Sequence, residues 1–89
     1  MMAANGLAKL LEEMGELAQV AAKKLAYPDT DEHPDSGGSL SIRLEQEMAD
    51  VLAAMDFVIE IHGLSEVQIN YRRLAKLQQY RRWHQDPDN

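Results

Sequence analysis

A chain of 89 residues with no cysteine and a net charge of −6 describes one small domain that neither a disulfide framework nor a thiolate metal site can staple. No apolar run reaches the length of a membrane span, and the N-terminus lacks the basic start and long apolar stretch of a secretory leader, so a cytoplasmic protein is expected. An acidic body excludes general nucleic-acid binding, which needs net positive surface, and so small a core makes association with other copies the expected source of further buried area.

From Ala3 to Ala26 the sequence is rich in Ala, Leu, Lys and Glu, all good helix formers, with Asn5 placed to cap the start and Pro28 to end the run. Residues Tyr27 to Ser39 carry Pro28, Pro34, Gly37, Gly38 and four acids and have little to bury. They predict a loop, long enough for a compact domain that it is either mobile or functional. Ser39 or Ser41 caps a second helix running to about His62, which Gly63 stops in the left-handed role. Ser65 caps a third, helped by Glu66 in the first turn, and this one runs to about Trp83. Residues 85–89 read as a polar, frayed tail. No sustained alternation of apolar and polar residues signals a strand. The expected fold is all-α: one domain over residues 1–84, with the first two helices antiparallel and a helical bundle completed by oligomerisation.

On a helical wheel of about 100° per residue with Glu13 at zero, Leu7, Leu10, Leu11, Met14, Leu17, Ala18, Ala21 and Leu25 fall in one arc from roughly 40° to 160°. Glu13 stands at the edge of that arc, Glu16 one step further round and Glu12 beyond it. With Glu47 at zero the second helix repeats the pattern: Leu44, Met48, Val51, Leu52, Met55 and Ile59 fill the equivalent arc, and Asp50 takes the place of Glu16. The letters superimpose as well, Leu10-x-x-Glu13-Met14-x-Glu16-Leu17 on Leu44-x-x-Glu47-Met48-x-Asp50-Val51. If the two apolar arcs face each other, both acid pairs meet at one rim of the interface. Four converging carboxylates repel unless cations sit among them, and an all-oxygen ligand set without Cys or His selects Mg²⁺ or Mn²⁺ over zinc.

Glu12-Glu13-x-x-Glu16 on one helix and Glu47-x-x-Asp50 on the next resemble the signature of the MazG-like nucleotide pyrophosphohydrolases, members of the all-α NTP pyrophosphohydrolase superfamily. The likeness runs from about Leu7 to Trp83 and includes the loop between the acid helices. It implies Mg²⁺-dependent hydrolysis of a nucleoside triphosphate between its α and β phosphates, releasing the monophosphate and pyrophosphate. By the same resemblance Glu13, Glu16, Glu47 and Asp50 are the metal ligands, and Glu12 acts beside Glu13 as an additional ligand or as the residue orienting the attacking water. The family associates as dimers or as tetramers built from dimers. Independently, phosphoryl and nucleotidyl transfer need charge neutralisation and positioning more than covalent chemistry, and carboxylate-held metals supply both. No Ser–His–Asp or Cys–His arrangement can be assembled: cysteine is absent, and His33, His62 and His84 sit in the loop, at a helix end and in the tail.

Charge is unevenly spread. Residues 1–69 hold four basic and thirteen acidic side chains, whereas residues 70–85 hold Arg72, Arg73, Lys76, Arg81 and Arg82 with no acid. This basic stretch is either a solvated face or a set of phosphate contacts, in which case Arg73, Lys76 and Arg82 are the expected substrate-binding residues. Tyr80 and Trp83 either stack on a base or belong to a core or subunit interface. The acidic run Asp29–His33 lacks the glycine and closing glutamate of a Ca²⁺ loop and reads as solvated. Two alternatives stay open: a phosphoribosyl-ATP pyrophosphohydrolase of similar size and acid pattern, and a non-enzymatic helical interaction module whose acids only solubilise it.

Overall fold

The computed structural model describes residues 4–32 and 38–85. Ala3, His33, Pro34, Gly37 and residues 86–89 of the expected tail lie outside the described residues. A 3-10 turn over Ala4–Gly6 leads into α1 (Leu7–Ala26), followed by α2 (Leu40–His62) and α3 (Glu66–Gln85). The described residues form no strand, only an isolated bridge between Glu32 and Ser39. No helix among them is long and apolar enough to cross a membrane.

Three of the expected helix boundaries are found as read. The Ser39 hydroxyl accepts from the Ile42 N–H at 3.1 Å, and the Ser65 hydroxyl accepts from the Gln68 N–H at 3.1 Å, each satisfying one orphan donor of a first turn. Gly63 adopts φ 61°, and the Leu64 N–H reaches back to the Ile59 carbonyl at 3.1 Å, the six-to-one bond that closes a helix C-terminus. The start of α1 differs. Asn5 is no cap; it lies inside the 3-10 turn at φ 62°, and Gly6, at φ 82°, holds the cap position with no side-chain bond. Two successive left-handed residues bring the 3-10 turn onto α2. A Cβ at Gly6 would stand 2.8 Å from Phe57 Cδ2, so both the backbone angle and the close approach require glycine.

Between α1 and α2 the loop is tied by Asp31. Its carboxylate accepts from Ser39 Oγ at 2.5 Å, Ser41 Oγ at 2.6 Å and the Ser41 N–H at 2.9 Å, and Lys24 of α1 approaches at 3.2 Å. An anion at the N-terminus of α2 offsets the helix dipole and joins the end of one helix to the start of the next. Leu40 immediately behind it is fully buried.

The two acid-bearing helices do not meet along their apolar arcs. At the cap and along α1 the residues shielded from solvent are Gly6, Leu10, Glu13, Leu17, Val20, Lys23 and Lys24; on α2 they are Leu40, Leu44, Glu47, Val51, Ala54, Val58 and Ile59. On the wheel both sets centre within about 35° of the glutamate, some 65° or more short of the middle of the apolar arc. Glu13 and Glu47 therefore lie within the contact, not at its rim. Much of each arc stays outside: Leu7, Leu11, Met14 and Leu25 on α1, and Met48, Leu52 and Met55 on α2, are all exposed.

α3 buries none of its residues. Val67, Tyr71, Leu74, Tyr80 and Trp83 face solvent along it. The molecule is correspondingly open, with a radius of gyration of 15.9 Å and extents of 42 × 36 × 16 Å. A compact chain of this length has a radius of about 12 Å. Only one layer of helices is present, where a stable domain packs two.

Candidate metal centre

Glu13 comes from the second turn of α1, and Glu47 and Asp50 share a face of α2 at i and i+3. Because the helix contact is centred on the two glutamates, all three acids converge, each offering a carboxylate oxygen within 4.8 Å of the others. Glu47 is buried, with 4% of its surface exposed. Asp50 is exposed and opens the cluster onto a groove lined by Lys9, Glu13, Ala53, Ala54 and Phe57.

The two oxygens of each glutamate have different surroundings. Glu13 Oε1 lies 3.5 Å from Lys9 Nζ, and Glu47 Oε1 lies 3.3 Å from Arg43 Nε. Glu13 Oε2 and Glu47 Oε2 are buried and accept no hydrogen bond. An unsatisfied buried acceptor costs about 1–3 kcal/mol, and more when charged, so two of them are expensive unless something binds there. Lys9 also pairs with Glu12 at 3.4 Å, and Glu12 foremost, with help from Glu13, holds the ammonium pKa above its ordinary value.

No other set of His, Asp or Glu side chains among the described residues lies close enough to share an ion. The oxygen-only donors and the two orphaned oxygens fit a hard divalent cation. The three carboxylate oxygens lie within 4.8 Å of one another, against about 3.0 Å for neighbouring and about 4.2 Å for opposite ligands of an octahedral Mg²⁺, so the acids draw in to bind it.

The other expected site residues stand apart from this cluster. Glu12 is exposed and engaged by Lys9. Glu16 is exposed and lines a separate depression with Gln19, Val20, Lys23 and Arg43. Arg73 Nε donates to Asn70 and Lys76 Nζ to Gln79, both at 3.4 Å within α3, and Arg82 is exposed. None of these three lines the groove at the acid cluster. Tyr80 and Trp83 contact each other with ring centroids 5.6 Å apart. His62 and His84 are exposed and outside the cluster.

No protein-family model matches the chain, and neither curated proteins nor solved structures give a match. The site stands on its own geometry.

Lys9 and Arg43 are the residues that the motif comparison passed over. Each immediately precedes the leucine that opens the repeated pattern, so extending the alignment by one position would have placed a cation four residues before each inward glutamate.

Proposed function

We propose that this chain is a Mg²⁺-dependent nucleoside triphosphate pyrophosphohydrolase of the MazG-like kind, splitting a (d)NTP into the monophosphate and pyrophosphate. The observation that carries the reading is the pair of buried, unpartnered carboxylate oxygens, one from each acid helix, beside the exposed carboxylate of Asp50. Glu13, Glu47 and Asp50 hold the metal, and Glu16, exposed on the adjoining face of α1, is the ligand expected from the motif that turnover of its Gln variant tests. When bound, the ion neutralises phosphate charge and lowers the pKa of a coordinated water. The chain's own part is to fix the carboxylates and keep their inner oxygens dry. Glu12, beside Glu13 and exposed, orients water at the mouth of the groove.

In this reading α1 and α2 run antiparallel, as supported by Lys24 reaching Ser41 at one end and Gly6 meeting Phe57 at the other. A second copy covers the outer halves of the two apolar arcs and the apolar side chains of α3. The one-layer architecture supports this, because a monomer would leave more apolar surface in water than soluble monomers usually do. Arg73, Lys76 and Arg82 then serve the phosphates of substrate once assembly brings an α3 to the groove, since Arg suits bidentate phosphate contact.

The test is pyrophosphate release from a panel of canonical and modified nucleoside triphosphates, and from phosphoribosyl-ATP, with Mg²⁺ and with EDTA. Metal-dependent release from a triphosphate is expected. Turnover of phosphoribosyl-ATP alone would move the assignment to the histidine-biosynthesis enzyme, and no release from any of them would leave a non-enzymatic helical module.

A further inference from the structure

The environment of the two inward glutamates is the same on both helices. A cation four residues earlier holds the outer oxygen, and the inner oxygen is left bare. Helix stability does not account for these cations. Lys9 is the third residue of α1 and Arg43 the fourth of α2, so both sit in first turns, where the helix dipole disfavours positive charge. Their spacing, with the cation on the N-terminal side, is also the weaker order for an i,i+4 pair. Both helices lack the acid that a first turn ordinarily prefers. The cations themselves are about half exposed, at 55% and 54%, while the carboxylates they hold are at 12% and 5%.

We propose that Lys9 and Arg43 are the counter-cations of the metal centre, positioning residues that hold Glu13 and Glu47 face to face while the centre is metal-free and lower its affinity for a divalent ion. The proposal rests on the metal reading of Glu13, Glu47 and Asp50 given above. With three acids and two bases the cluster carries a net −1, which lets two buried glutamates tolerate each other before an ion arrives. The same positive charges remain beside the site when the ion enters and oppose it. They stand on two sides of the cluster, Lys9 lining the groove at its mouth and Arg43 the neighbouring depression. Such a site holds together without metal yet releases it readily.

Lys9→Gln and Arg43→Gln shorten each side chain, keep it polar and remove the charge. Mn²⁺ affinity of the substrate-free protein, measured by titration calorimetry, should rise about three- to tenfold in each variant, as expected for one unit charge removed several ångströms from a divalent ion. Melting temperature in EDTA should fall, and the deficit should shrink at saturating Mn²⁺. Lys9→Arg and Arg43→Lys should restore both properties. An ordinary structural ion pair would lower the melting temperature equally with and without Mn²⁺ and leave affinity unchanged, and that result overturns the proposal. Weaker Mn²⁺ binding in the Gln variants also overturns it. If wild-type protein takes up no Mn²⁺, the metal reading fails and this inference with it. Should Arg43→Gln not fold in EDTA, Lys9→Gln carries the test, since the glutamate it holds is the less deeply buried, at 12% against 5%.

Discussion

Replacing Glu47 with Gln in metal-free protein probes the centre without any substrate. Glu47 is buried, its Oε2 lacks a partner, and oxygens of Glu13 and Asp50 lie within 4.8 Å. Two unit charges at that separation repel by about 3.5 kcal/mol at an effective dielectric near 20. The cations at Lys9 and Arg43 offset part of this repulsion, and the substitution gives up an Arg43 pair worth about 0.5 kcal/mol. In return the new amide can donate to the bare oxygen of Glu13, for about 1 kcal/mol. The net expectation is a metal-free protein stabilised by about 1–3 kcal/mol, with each kcal/mol raising the melting temperature about 4–8 °C in a domain of this size. The assay is thermal unfolding by circular dichroism in EDTA and in excess Mg²⁺, at one protein concentration, because association also shifts the midpoint. Wild type should gain stability from Mg²⁺ and Glu47→Gln should gain little. A variant that melts several degrees below wild type in EDTA would mean that Glu47 is a satisfied structural partner, and the centre would lose its main support.

Glu13→Gln and Asp50→Asn should nearly abolish pyrophosphate release while leaving the helical signal intact; Glu16→Gln should do so only if that side chain joins the centre, so its turnover decides its place. Sedimentation equilibrium at micromolar concentration should show a dimer or larger, and Leu52→Arg, on the exposed half of the α2 arc, should shift it toward monomer; a folded wild-type monomer would refute the assembly. Asp31 is held well below the usual carboxylate range by the Ser39 hydroxyl first and by Ser41 next. The unfolded chain therefore takes up the proton more readily, and stability from this group is complete above its ordinary pKa of 3.8 and lost as pH falls toward the lower folded value. Asp31→Asn should accordingly flatten the acid limb of a stability–pH curve below about pH 4, measured by denaturant unfolding.

The caps at Ser39 and Ser65 and the stop at Gly63 were legible because each depends on a local bond that a single residue supplies. The cap expected at Asn5 was not legible because Asn5 lies in a left-handed turn whose next residue, Gly6, packs against Phe57, more than fifty residues away. The wheel located the acids and apolar arcs correctly but misjudged the rotation of the contact. Pattern alone assumes that an apolar face meets its counterpart inside one chain, whereas here part of each arc stays outside and the acids occupy the contact. Glu13, Glu47 and Asp50 could be read from the repeat. Their separation from Glu16, and the service of Lys9 and Arg43 to two buried oxygens, depend on the angle at which α1 and α2 pack.

The thinness of the molecule, 16 Å in its shortest dimension, has a kinetic corollary. Contacts between α1 and α2 form between consecutive helices and can be made at the speed of other local helical pairings. α3 has no fully buried residue. On the reading that a second copy covers it, its ordering is a collision between molecules. Refolding then divides into a fast phase independent of protein concentration and a slower one whose rate rises with it. A freshly made chain would wait for a partner before it was finished.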